Sequence, residues 1–343
     1  VGTGVGLRRL KSYIPGLYQP GKSLLYFFTF NLGTSQTGVV KRVGYFDASD
    51  GVFLEQSESG LSWVIRSSSS GSVVETERVL QSGWNADNFD GSGTGYDFDE
   101  TQCHIGFVAL EWLGVGDVAV GFVYNRVPVL AHVFQHPNLR DAVYMRTANL
   151  FPCYEIERTV TGSSGASLEA ICASLLTEGQ ENSLGATYSV SRGITSTFNA
   201  NTSGLYYPLL LFRLNPSKIN ARVKVSEVEV LVITTSNFHI YLVRNPVFGT
   251  AYTPAWTDRE DSSIQYDNAI PNTVTVTNAL SGETLTTSSA RGNQFNLGGS
   301  ISSNLDFLGS DYNYQPEIWA LVVQCDTGNV NIRSAIAKFW EQL

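Results

Sequence analysis

Along this chain apolar residues recur with period two or in short unbroken runs, the two patterns that β-strands leave in a sequence. LLYFFTF (24–30) is a continuous apolar run and predicts a strand buried on both faces. KRVGYF (41–46), GVFLEQ (51–56) and LSWVIRS (61–67) follow, parted by FDASDG (46–51) and QSESG (56–60), which have turn chemistry. The stretch 104–135 predicts an antiparallel meander of three strands. In it HIGFVALEWL, VAVGFVYN and VPVLAHVFQ are joined by turns at Gly114-Val115-Gly116-Asp117 and Asn125-Arg126. VYMRTA (143–148) and CYEIERTV (153–160) are expected to close this first domain as strands.

The period then changes. Leu168, Ile171, Cys172, Leu175 and Leu176 fall at i, i+3, i+4, i+7 and i+8, one face of a helix. Ser164 or Ser167 stands as its cap, Glu169 in its first turn and Gly179 as its stop. A short helix over 162–180 is therefore expected between two β domains. Beyond it YYPLLLFRL (206–214) is apolar on both faces. In the segment 219–235, Ile219, Ala221, Val223 and Val225 share one parity, and Val228, Val230 and Val232 share the other. One extra residue near Ser226-Glu227 restores a common face, so a β-bulge or sharp bend is predicted there. FHIYLVR (238–244), NTVTVTN (272–278), EIWALVVQC (317–325) and VNIRSAIAKFW (330–340) predict further strands, and 246–316 reads as loop-rich.

The fold class that follows is all-β. Two antiparallel β-sandwich or jelly-roll domains are expected, over 23–161 and 181–343, with the short helix and linker at 162–180 between them. Residues 1–22 have Gly at 2, 4, 6, 16 and 21 and Pro at 15 and 20, and read as an extended arm. The length of 343 residues supports two domains rather than one core.

Charge narrows the function classes. Only 15% of residues are charged, against about a quarter in a typical soluble domain, so much of the polar surface is Ser, Thr, Asn, Gln and Gly. The net charge is −9, which argues against general nucleic-acid binding, whose affinity comes from phosphate contacts. The basic cluster Arg8, Arg9 and Lys11, with Tyr13 and Tyr18 behind it, reads as a partner-docking arm. No apolar run reaches the ~18 residues that span a bilayer, and no signal-peptide pattern opens the chain. Cys103, Cys153, Cys172 and Cys325 form no C-x-x-C pair and read as buried free thiols.

Chemistry is sparse. His132 and His136 are four apart, but without the Glu of H-E-x-x-H and on a strand pattern. The loop 87–100 offers oxygen ligands of the kind Ca²⁺ takes, with Asp87, Asp90 and Asp97 as candidates. It misses the EF-hand spacing, and a solvated turn is the simpler reading. Gly16, Gly21, Lys22 and Ser23 complete a G-x-x-x-x-G-K-S match. The flanking segments are not strand-then-helix, and Pro20 removes a backbone donor, so ATP is not expected. Glu111 beside Trp112 is the one carboxylate with the look of a sugar-cleaving cleft, and nothing in the sequence sets a second carboxylate opposite it. No catalytic residue and no cofactor is expected.

Four strings carry a resemblance when taken together: YQPGKSLLYFFTFNLG (18–33), KRVGYFDASDGVFLEQ (41–56), HIGFVALEWLGVGDVAVGF (104–122) and VYMRTANLFPCYEIE (143–157). With SLEAICASLLTEGQ (167–180), they resemble virion structural proteins of tailed phages and large DNA viruses from aquatic habitats, over residues 18–180. The resemblance implies a capsid, vertex, decoration or tail/fibre component located in the virion. Its partners would be copies of itself and other virion proteins, and it would have no catalytic residues. The meander at 104–135 also resembles concanavalin-like and laminin-G-like sandwiches, which implies a second expectation, a module that binds host surface glycans. A polysaccharide hydrolase is the third expectation and needs two facing carboxylates in a cleft.

Overall fold

The computed structural model describes residues 1–179, 185–234, 237–281, 283–288, 294–295, 307–326 and 328–342. The chain divides into two compact units, residues 1–183 and 184–343. The expected boundary between residues 180 and 181 lies outside the described residues, as do 289–293 and 296–306 of the loop-rich region.

The N-terminal unit is a sandwich of eleven strands: β1 (Gly6–Lys11), β2 (Leu24–Asn31), β3 (Val39–Phe46), β4 (Gly51–Ser57), β5 (Gly60–Ser67), β6 (Val74–Leu80), β7 (His104–Leu110), β8 (Val118–Tyr124), β9 (Val127–Phe134), β10 (Pro152–Arg158) and β11 (Glu169–Thr177). They form a six-stranded sheet ordered β1-β10-β3-β4-β5-β6 and a five-stranded sheet ordered β11-β2-β7-β8-β9, antiparallel throughout. The predicted meander is present as β7-β8-β9. One core joins the sheets: Tyr26, Phe28 and Phe30 of β2 meet Val43, Tyr45, Leu54 and Trp63 of the other sheet, with Val108, Val120 and Phe122 alongside. β2 alternates between buried and half-buried positions, so only one face of LLYFFTF is in the core, where burial on both was expected.

Three other expectations are corrected here. The segment 169–177 is a strand paired to β2, where a helix was expected. Residues 143–148 form no strand, although Tyr144, Met145 and Ala148 are buried in the core. The arm is strand at Gly6–Lys11 and pairs with β10 of its own unit over all six residues.

The C-terminal unit holds β12 (Ala186–Arg192), β13 (Phe198–Ala200), β14 (Tyr206–Leu214), β15 (Arg222–Val232), β16 (Phe238–Arg244), β17 (Thr257–Asp258), β18 (Ile264–Asp267), β19 (Glu283–Ser288), β20 (Gln294–Phe295), β21 (Phe307–Leu308), β22 (Trp319–Cys325) and β23 (Val330–Gln342). One sheet runs β12-β23-β15-β20, with β13 on β23 and β21 on β15. The other runs β17-β18-β14-β22-β16-β19. The predicted bulge is present: the β15 register against β23 shifts between Val225 and Glu227, which brings Val223, Val225, Val228 and Val230 to one core. β14 and β22 are buried on both faces. Leu210, Phe212, Leu321 and Val323 face the inter-sheet core. Leu211, Ala320 and Val322 face a second cluster roofed by Ile270, Val274 and Val276. Residues 272–278 thus form that roof, with one bridge from Val276 to Phe248, where a strand was expected.

Candidate functional site: the open edge of the N-terminal unit

The residues expected to form a docking arm are mostly committed within their own unit. Arg9 donates from Nε to Glu155 Oε2 at 2.8 Å. The Lys11 ammonium lies 4.2 Å from the centre of the Phe151 ring. Tyr18 is buried, accepts from the Leu113 amide at 3.0 Å, and meets Trp112 edge-on at 5.3 Å. Tyr13 is half-buried, and Arg8 is exposed and donates to the Leu7 carbonyl. The structure therefore turns the arm into the edge of a sheet.

That edge strand has a counterpart. β1 ends the six-stranded sheet and β11 ends the five-stranded one, and together they line a groove of about 330 Å³. Its walls are Leu10, Pro152, Tyr154, Ile171, Cys172 and Leu175, with neighbours. Most of β11 is solvent-exposed, including Ile171 at 55% and Leu176 at 48%. Inside the sandwich, Tyr154 from β10 donates to the Cys172 carbonyl at 2.7 Å. This bond sits where the register of β11 slips against β2, between Ala170 and Cys172. Among the four cysteines, all free, Cys153 and Cys325 are buried as expected, whereas Cys103 and Cys172 are exposed.

Across the outer face of the six-stranded sheet runs a row of alternating charge that single segments do not announce. Its register is Arg9–Glu155–Arg42–Glu55 over β1, β10, β3 and β4. Arg42 bonds Glu155 at 2.7 Å, Glu55 at 2.9 Å and Glu157 at 2.9 Å, and Arg78 adds a further bond to Glu55. Burial alone would lower the Arg42 pKa, but Glu55 and Glu155 outweigh it and raise it. Beside the row Phe53 lies against Gly44, where a Cβ would meet Phe53 Cα at 2.6 Å, and Arg66 stacks 4.9 Å above the Phe53 ring. Part of the signal was present in the sequence: Glu155 stands between Tyr154 and Ile156, Arg42 before Val43 and Glu55 after Leu54, each a charge beside a core residue of its strand. These mutually satisfied charges join strands and leave little for a ligand.

A second cleft, of about 250 Å³, is lined by Tyr18, Gly21, Lys22, Ser23, Glu111, Leu113 and Glu178. It brings to Glu111 the second carboxylate that the sequence did not place. Glu178 accepts from Ser23 Oγ at 3.1 Å, and Lys22 Nζ donates to Gln19 Oε1 at 2.8 Å. The G-x-x-x-x-G-K-S match ends here, followed by β2 rather than a helix, and the two carboxylates would repel a phosphate. The volume falls below the roughly 300–1,000 Å³ of small-molecule pockets.

The calcium candidates hold their own loop. Asp87 accepts from the amides of Phe89 and Thr94 at 2.7 and 2.9 Å, Asp90 accepts from the Ser92 amide at 3.0 Å, and the backbones of Asp90 and Asp97 pair as an isolated antiparallel β-bridge. Among the described residues no group of three or more His, Cys, Asp or Glu is placed to hold a metal ion. His132 Nδ1 accepts from the Asn85 amide at 3.2 Å, while His136 Nε2 lies 2.8 Å from Glu77, so the pair serves separate partners.

Burial pushes the imidazoles of His104 and His132 below the ordinary histidine value, at His104 against an opposing bond to the Asp99 carbonyl. With the folded values depressed, the stability these neutral rings contribute is present above about pH 6.5. It is lost as pH falls from there through the folded values. The melting temperature of the N-terminal unit should therefore drop between about pH 7.5 and pH 5. His104→Gln/His132→Gln should flatten that slope, and an unchanged slope in the double variant would refute the assignment.

Among the described residues no helix is long and apolar enough to cross a membrane. No protein-family model matches the chain, and no curated protein matches it. Among solved structures, the chain is similar to CG-16, a homodimeric agglutinin from chicken liver, at 13% identity and a TM-score of 0.27. That likeness covers 49% of this chain and 100% of the agglutinin. A similarity of that degree carries no argument about function.

Proposed function

We propose that this chain is a non-catalytic structural protein, in its finer form a virion component, that works through contacts with copies of itself and with other proteins. The observation that supports the reading is the long, exposed and almost uncharged edge strand β11 beside an apolar groove. A strand of that kind presents unused backbone donors and acceptors to another chain. The virion assignment itself rests on the resemblance of the strings within 18–180. The glycan-binding alternative calls for exposed aromatic faces grouped in one groove. Among the described residues Tyr312 is the one exposed aromatic, so no group of exposed aromatic faces is present among them.

In sedimentation at rising protein concentration, the full chain should show species heavier than its 37.5 kDa. A single species of monomer mass at every concentration would overturn the reading.

A further inference from the structure

Among the described residues the N-terminal unit has four edge strands, and three are defended against pairing. β1 carries Arg8, Arg9 and Lys11 in six residues, β6 carries Glu75, Glu77 and Arg78, and β9 has Pro128 as its second residue. Charge and proline are the usual means of blunting an edge. β11, EAICASLLT, has neither beyond Glu169 at its first position. It is also the longest of the four and the most exposed.

We infer that two copies of this chain pair antiparallel through β11, with the two-fold axis at Ala173, joining their five-stranded sheets into one continuous sheet. This rests on the assembly reading above and names its partner and register. Ala173 is the middle of the nine residues, so Cys172 and Ser174 pair across the axis and both halves of the strand are used. The slip between Ala170 and Cys172 sets Ala170 and Ile171 together opposite Leu175 of the second copy. Glu169, the one charged residue of the strand, then falls opposite Leu176, so no like charges meet. A closed two-fold contact between identical edges is the commonest symmetry of soluble oligomers. The apolar groove beside β11 gives the aliphatic side chains of the second strand a place to bury.

Ala173 is exposed, so a change there spares the fold while it acts on the dyad. Ala173→Lys places two ammonium groups face to face, Ala173→Glu places two carboxylates, and a mixture sets Lys opposite Glu. Sedimentation velocity of the full chain should give a dimer for wild type and half that mass for each variant alone. An equimolar mixture should recover the dimer mass, and far-UV spectra should be unchanged throughout. Rescue by mixing separates a lost contact from a lost fold.

Variants that associate as well as wild type would overturn the β11 register while leaving the assembly reading intact. Monomeric variants that fail to recover on mixing would overturn it too. A monomeric wild type would overturn both.

Discussion

An Arg42→Ala variant is expected to unfold about 3–5 kcal/mol more easily than the parent, because it strands carboxylates that the fold has taken out of water. Glu155 and Glu55 are 3% and 5% exposed, and Arg42 lies between them. Each keeps one other partner, Glu155 with Arg9 and Glu55 with Arg78. The loss should therefore fall toward the lower end of that range. For a unit of this size it corresponds to a melting shift of roughly 6–12 °C. The control is Glu157→Ala: its side chain is 38% exposed, and its bond to Arg42 is of the surface kind, expected to cost under about 1 kcal/mol. Urea unfolding of the N-terminal unit, read at its own transition, measures both. If Arg42→Ala falls as little as Glu157→Ala, the row is ornament on the sheet and contributes nothing to its pairing.

The charge row and the strand β11 show where reading the sequence stops. Sheet class, the meander and the bulge at Ser226 are local: alternation on either side of a slip announces the slip, because Val223 and Val228 can share a core only if one residue is looped out. The same device defeated the reading at 168–176. Leu168 and Leu175, seven apart, both pack against the core, as two residues of one helical face would. On an unbroken strand that spacing would put them on opposite faces. The irregularity between Ala170 and Cys172 restores them to one face, and so a bulged strand counterfeits a helical period. Exposed Ile171 and Leu176 completed the illusion, since at an open edge apolar side chains need not point inward.

Arm and site failed for a different reason. Six residues from Gly6 to Lys11 look like part of a Gly- and Pro-rich tail, and only the strand at 152–158, far away in sequence, makes them part of a sheet. The charges of Arg42, Glu55 and Glu155 were each visible, but their meeting depends on which strands become neighbours. The second carboxylate opposite Glu111 was hidden likewise: Glu178 reaches that cleft only because β11 is a strand docked on β2. Long-range pairing decides all three, and pairing partners leave little trace in one sequence.

Replacing Trp63 should separate shape from polarity in the same core. Its side chain is fully buried, 6.4 Å from Phe28 and 5.8 Å from Phe122, at the place where the two sheets of the N-terminal unit meet. Trp63→Ala removes most of that volume and is expected to cost about 3–5 kcal/mol, from lost transfer energy and the cavity left behind. Its indole N–H, however, is buried with no acceptor among the described residues. Trp63→Phe deletes that unsatisfied donor, a gain of about 1–3 kcal/mol that offsets much of the smaller cavity it opens. The phenylalanine variant should therefore lose less than about 1.5 kcal/mol. Hydrogen exchange of the β5 amides reads these losses within the N-terminal unit, independently of the other. Equal losses for Phe and Ala would mean that the indole N–H does find a partner and that its bond, rather than packing, holds the sheets together at this point.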